Sequence, residues 1–360
     1  MRSFLHPLIL GATRPSGVGL VGTLAVTAIW MLVTMALLDT AALRDHRWVA
    51  EPIDDFAWMA GNLVRYQQAS PELLQVAVVG TSATREALSD GGALQADLAE
   101  LLQRPVEVHL LVAGSLYPLE YLVVADHLPS AASGVVVLEV SERQLGLEPR
   151  TWHWLARNPR LPLSSPSYRQ RVAQAGFRGR LRIPGVYLSE HLDFYAARLG
   201  TRVGQRFAPV PYHLHPVDAM PAPQQHEWDR MQANYEHWLR IFDAHSDSVL
   251  PIFRQLVDAI RDGSSSQVVF LQAPRNPQFV ERVGASSDAS RMLNERYHGR
   301  IQELAQELQV PYWNLLKDAE VNAEHFRDHA HLRDTDARQR YTRALAEAIA
   351  STVRAGDEPQ

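Results

Sequence analysis

The sequence contains no cysteine and only one lysine, Lys317. The first absence excludes disulfides and thiolate metal sites, and it leaves the redox compartment open. Basic runs are also missing, and the formal charge is -5. Such a chain carries no field that would track a phosphate backbone, so nucleic acid is excluded as a partner. There is no internal repeat and no low-complexity stretch. What the chain does have is apolar content, 46% over 360 residues, enough to bury the core of one large domain or two modest ones.

Charge is absent altogether between Arg14 and Asp39, where the chain reads PSGVGLVGTLAVTAIWMLVTMALL. At about 1.5 Å per helical residue this stretch covers a hydrocarbon core of roughly 30 Å. A cleaved signal peptide has a shorter apolar region and a small-residue cleavage site, which is not evident after Leu38. The expectation is one transmembrane anchor at 17–38 in an inner (cytoplasmic) membrane, with 1–16 cytoplasmic. Arg2 and Arg14 precede the span, while Arg44 and Arg47 follow among Asp39 and Asp45. This orients the N-terminus inside and places residues 40–360 in a periplasm or its equivalent.

A linking helix is expected around DDFAWMAGNLVRYQQA, within a linker region at 39–72. Beyond it, short apolar runs alternate with longer helical patterns. VAVVG, VEVHLLVAG, GVVVLEV, QVVFLQA and VPYWNLL lack clean alternation, as strands buried on both faces do. ALQADLAELLQR, PLEYLVVADHL, ASRMLNERYHGRIQELAQEL and TDARQRYTRALAEAIAST fall between or after them. This is the pattern of a three-layer α/β domain with a parallel sheet, spanning 73–355. Residues 145–245 break the rhythm with several prolines and a late helical pattern, HEWDRMQANYEHWLRIFDAH, and are expected to form an inserted cap. The tail at 356–360 is expected to fray. Trp152, Trp154, Trp228 and Trp238 suit either a core or a carbohydrate-stacking surface.

Ligands of open parallel sheets bind beyond the carboxyl ends of strands, where Gly80, Thr81 and Ser82 stand. Ser82 is either a nucleophile or the cap of a helix beginning near Ala83. Arg85 lies where a capping box would carry Glu or Gln, and a cation in a first helical turn opposes the macrodipole. Its placement implies an anion nearby, whether Glu86 or a substrate. Near the other terminus, Asp328 and His331 have the D-x-x-H spacing, and a carboxylate so placed holds an imidazole in the tautomer for general-base work. His325, His329 and His331 with Glu324 and Asp328 also form a ligand-rich patch, or else solvated loop histidines. Their spacing in a loop is irregular and a metal site would leave the serine unused, so no metal or cofactor is expected. A phosphate-binding loop is excluded because GTSATR lacks the Gly-Lys-Ser/Thr ending.

Gly80-Thr81-Ser82 after one apolar strand, Gly114-Ser115 after the next, and Asp328-His329-Ala330-His331-Leu332 before the last helix resemble the first, second and fifth blocks of the SGNH hydrolases, or GDSL-like esterases. The resemblance covers residues 73–143 and 265–353 and implies a flavodoxin-like sheet. It also implies Ser82 as nucleophile, His331 as base, Asp328 as its orienting group, and the N–H groups of Gly114 and Ser82 as oxyanion donors. Thr81 stands where the family has aspartate. The family's Gly-x-Asn-Asp block corresponds here to LEVSERQL, with Glu139 and Ser141 at the glycine and asparagine positions. Ser141 would then be a weaker donor, with Arg275 or Asn276 as alternatives and Arg85 and Asn276 as candidate substrate contacts. Glu139 is expected as a strand-end residue facing water.

Anchored proteins of similar layout O-acylate cell-envelope polymers, often beside a multi-spanning membrane acyltransferase. The implied function is a serine acetyltransferase or esterase acting on an envelope glycan. The alternative is an inactive SGNH-like protein for envelope assembly or polysaccharide binding.

Overall fold

The computed structural model describes residues 17–38, 54–129, 133–146, 148–157, 160–161, 163, 165–176 and 212–357. Helix α1 is Gly17–Leu38, 22 residues with no acidic or basic side chain in its end turns. Its side chains are described from 21 to 34 and are exposed apart from Thr34. That stretch is shorter than a bilayer span, and among the described residues no helix is long and apolar enough to cross a membrane. The flanks at 1–16 and 39–53 lie outside the described residues, so the orientation of the expected anchor does too.

The described residues from 54 to 357 form an α/β fold around five parallel strands. β1 (Leu74–Gly80), β2 (Val106–Val112), β3 (Ser133–Val140), β4 (Ser265–Gln272) and β5 (Tyr312–Trp313) lie in the order β2-β1-β3-β4-β5. The pleat divides each strand between two cores. Ala77, Val79, Val136, Leu138, Val268 and Phe270 face one core, while Val76, Val78, Val135, Val137, Val269 and Leu271 face the other. Burial on both sides is why these strands are nearly continuous apolar runs in the sequence.

The first core is completed by α2 (Asp55–Gln67), α5 (Pro118–Ala125), α9 (Gln225–Gly263) and α11 (Asp288–Glu307). The second is completed by α4 (Gly91–Leu102) and α12 (Thr335–Asp357). The short α3 (Ser82–Ala87) and α6 (Glu142–Leu145) leave the ends of β1 and β3, and α7 (Pro149–Arg157) and α8 (Pro166–Gln174) follow. Residues 177–211, the middle of the expected cap, lie outside the described residues.

Two helices differ from expectation. α9 runs far past His245 and carries Pro251 inside it. Proline costs about 3 kcal/mol or more in a helix interior. Here Leu250, Ile252, Phe253, Leu256, Val257 and Ile260 are all buried around it, and that apolar stripe outweighs the cost. α10 (Pro277–Ser286) was not anticipated. It begins with Asn276 accepting from the amides of Gln278 and Phe279, followed by proline at its first position.

The strand order reverses direction between β1 and β3: the chain steps outward from β1 to β2, then returns to β3 on the other side. The crevice at the carboxyl ends of these two strands is where such folds bind ligands. Gly80 and Val140 end the two strands there.

Candidate active site

Thr81, not Ser82, caps α3: its side-chain oxygen accepts from the Ala83 amide. Ser82 is thus the first helical residue and half-buried, with its hydroxyl not engaged in the cap. The turn is held from below by Glu139, which is fully buried rather than facing water. The Thr81 amide donates to Glu139 Oε2 at 2.6 Å and the Thr81 hydroxyl donates to Oε1 at 2.7 Å. Close approach requires glycine at position 80, because a Cβ there would lie 2.7 Å from Glu139 Oε2.

The loop that carries the histidines is fastened on several sides. Leu332 and Phe326 form an antiparallel bridge and are buried in the second core. The Asn276 amide donates to the His329 carbonyl at 3.0 Å, and its Nδ2 donates to the Asp328 carbonyl at 3.3 Å. Ala83, Ala273 and Ala330 pack together. Their small side chains let the start of α3, the end of β4 and the histidine loop meet.

This packing brings three of the expected residues together. The Ser82 hydroxyl lies 3.0 Å from His331 Nε2. His331 Nδ1 lies 3.0 and 2.9 Å from the two Asp328 oxygens. Asp328 also accepts from the amides of Ala330 at 2.9 Å and His331 at 3.0 Å, and from Arg327 at 2.9 Å. Burial alone would raise its pKa, but the His331 hydrogen bond, the neighbouring imidazoles and the Ala330 amide together hold it well below the usual carboxylate range. The carboxylate therefore fixes Nδ1 as a donor and frees Nε2 to accept the serine proton.

His329 lies beside this chain, its Nδ1 3.7 Å from Asp328 Oδ1, without a hydrogen bond to it. Burial first, then the charge of Arg275, pushes it down to about 4. Its Nδ1 is buried without a hydrogen-bond partner. The ring packs near Trp238 and Phe279, with centroids at 6.3 and 5.4 Å. His325 is turned elsewhere, its Nδ1 accepting from the Asn322 amide. Among the described residues no group of three or more such side chains is placed to hold a metal.

The other expected site residues are placed as follows. Gly114 stands beyond β2, but its amide donates to Asp55 Oδ2 at 2.8 Å. The next residue, Ser115, has a left-handed φ of 61°, a conformation disfavoured for a side-chain-bearing residue. Its carbonyl accepts from Arg160 at 2.9 Å, and Arg160 in turn pairs with the buried Glu120. Ser141 is buried at the start of α6, where its hydroxyl makes no capping bond. Arg85 is buried and faces two anions of the protein itself, Glu86 and Asp55. Arg275 is tied to buried Glu142, with Nη2 2.7 Å from Oε2. Asn276 spends its oxygen on α10 and its nitrogen on the histidine loop, so it positions that loop instead of facing a substrate.

Trp152 is buried, Trp228 and Trp238 pack partly against the first core, and Trp154 is exposed. A separate cleft of about 700 Å³ opens by the ends of β4 and β5, among Tyr235, Arg275, His298, Gln302, Tyr312 and Asn314. None of its lining residues belongs to the triad.

The sequence reading missed Asp55 and Tyr212, which carry no motif and approach from segments outside the sheet. It also misjudged Glu139, whose polarity suggested water. No protein-family model and no curated protein matches this chain.

Proposed function

We propose that this chain is a serine acyl-ester enzyme of the SGNH type, acting as an O-acetyltransferase or esterase. The observation that carries this reading is the continuous Ser82–His331–Asp328 chain of hydrogen bonds. A hydroxyl is a poor nucleophile until a positioned base removes its proton. In the first half-reaction, Ser82 Oγ bonds to the acyl carbon as its proton passes to His331 Nε2. The tetrahedral intermediate then breaks its bond to the leaving alcohol, which takes that proton, and acyl-Ser82 remains. In the second, a sugar hydroxyl or water gives its proton to His331 and attacks the acyl carbon, and Ser82 recovers the proton as it leaves. The amides of Ser82 and Gly114 and the Ser141 hydroxyl are the candidate oxyanion donors. One such donor is typically worth about 2.7–4 kcal/mol.

The uncharged helix at 17–38 supports anchorage in the inner membrane, with the catalytic domain outside the cytoplasm. The resemblance supports an envelope glycan as acceptor and a multi-spanning membrane acyltransferase as partner. Exclusion of water by the 145–245 segment would favour transfer over hydrolysis. The second reading, an inactive SGNH-like assembly or polysaccharide-binding protein, draws on the Gly114 amide being already bonded to Asp55.

The test is turnover of a small aryl acetate by the full-length chain. Ser82→Ala and His331→Ala are each expected to lower the rate by roughly 10³-fold or more. Equal rates in wild type and both variants would overturn the enzyme reading and favour the second.

A further inference from the structure

Asp55 is the first residue of α2, and its carboxylate is the meeting point of two hydrogen-bond donors and one cation from three other segments. The Gly114 amide donates to Oδ2 at 2.8 Å. Tyr212 donates its hydroxyl proton to Oδ1 at 3.1 Å. Arg85 Nη1 lies 2.5 Å from the same oxygen, a charge contact without an aligned hydrogen bond. A Cβ at position 114 would come within 2.9 Å of Oδ2, so glycine there leaves room for the carboxylate to reach the amide. Arg85 is one helical turn beyond Ser82, so this cluster adjoins the nucleophile along α3. Arg85 is 4% exposed but the Asp55 side chain is 25% exposed. The carboxylate, Gly114 and Tyr212 are all half-buried, while the Arg85 guanidinium lies buried beside them.

We propose that Asp55 is an internal ligand of the oxyanion site: its carboxylate occupies the Gly114 donor in the resting protein, and acyl substrate binds productively only when that carboxylate withdraws. This rests on the acyl-transfer reading of Ser82. The physical argument is a competition. An amide carries one proton and cannot serve both Asp55 and a tetrahedral oxygen. A carboxylate beside a developing oxyanion also opposes it by like charge. Arg85 does not depend on Asp55 for a partner, because its Nε and Nη2 bond Glu86 Oε1 at 3.1 and 2.9 Å. Removing Asp55 therefore leaves the buried guanidinium paired and empties a pocket lined by an amide, a guanidinium and a phenol. Such a pocket fits a small free carboxylate.

The experiment uses the full-length chain with two readouts: aryl acetate turnover, and the rate at which a fluorophosphonate labels Ser82, forming an Oγ–P bond and releasing fluoride. Asp55→Ala is expected to raise both by roughly tenfold or more, up to the roughly 10²–10³-fold that one oxyanion donor commands. Asp55→Asn, which keeps the acceptor but loses the charge, is expected to fall between. Millimolar acetate should slow Asp55→Ala back toward wild type while leaving wild type unchanged, an effect that mere loosening of the fold would not produce. The inference is overturned if Asp55→Ala keeps the wild-type melting temperature yet labels no faster, or if acetate leaves the faster variant unaffected. Should Asp55→Ala fail to fold, Asp55→Asn carries the test, and a rate equal to wild type overturns the inference. Equal labelling of wild type and variant sinks the gate alone. No labelling of Ser82 in any folded form sinks the acyl-transfer reading itself.

Discussion

His329 offers a test of the site's electrostatics that needs no substrate. Its imidazole is buried beside Arg275, and both effects lower its pKa from 6.5 to about 4, with Asp328 and Glu142 pulling the other way. In the unfolded chain the same group titrates near 6.5. Between these values the unfolded state binds a proton that the native state refuses, so stability falls as pH falls through this window. At about 1.4 kcal/mol per unit the loss approaches about 3 kcal/mol, on the order of 10 °C in melting temperature for a domain of this size.

The comparison is His329→Phe, an aromatic of similar size among Trp238 and Phe279 that removes an unpartnered nitrogen. Thermal melts from about pH 7 to about pH 4.5 should show a shallower fall for the variant. His109 and His298, also lowered by burial, contribute equally to both proteins and cancel. Asp328 contributes stability present above its unfolded pKa near 3.8 and lost as pH falls through its depressed native value, below this window. Parallel melting curves for wild type and variant would refute the assignment of a neutral, buried His329.

Two further outcomes follow from buried carboxylates. Glu139→Leu strands the Thr81 amide and hydroxyl, costing roughly 1–3 kcal/mol per buried group left unpaired, while Glu139→Gln retains one acceptor and can donate to the Thr81 oxygen. Urea denaturation should therefore place Leu well below Gln, and equal midpoints would show that Glu139 does not hold the turn. Arg275→Met leaves Glu142 buried without its guanidinium partner, the Tyr235 hydroxyl still donating to it, an expected loss of about 3–5 kcal/mol. The double variant with Glu142→Gln should recover most of that in the same denaturation assay, and no recovery would mean that the pair is not the source of the loss.

The strands were legible because both faces are buried. VAVVG and GVVVLEV carry that requirement as composition, and β1 and β3 fall where these runs lie. The order of the sheet was not legible from composition, since nothing in five apolar runs says which pair. α10 could have been found: Asn276 followed by Pro277 is a helix start signal, but treating Asn276 as a donor to the substrate hid it. The end of α9 was obscured differently. SDSVLP looks like a stop locally, and the helix continues only because residues beyond Pro251 have a core to pack against. Tertiary burial overrode local propensity there.

Within the site, the residues carrying chemistry were readable and those holding them were not. Ser82, Asp328 and His331 occupy motif positions, yet the bond between the first and last joins residues 249 apart. What closes that distance is mostly unlabelled: three alanines in contact, an asparagine bonded to two carbonyl-bearing neighbours, and Glu139 beneath the turn. Thr81 shows why a substituted motif need not be a damaged one. Aspartate at that position would set a second carboxylate against Glu139, two like charges in a buried space. Threonine instead gives its hydroxyl proton to Glu139 and accepts the Ala83 amide with the same oxygen. The residue at 81 is therefore dictated by the carboxylate at 139, a dependence between two strand ends that no single stretch of the sequence contains.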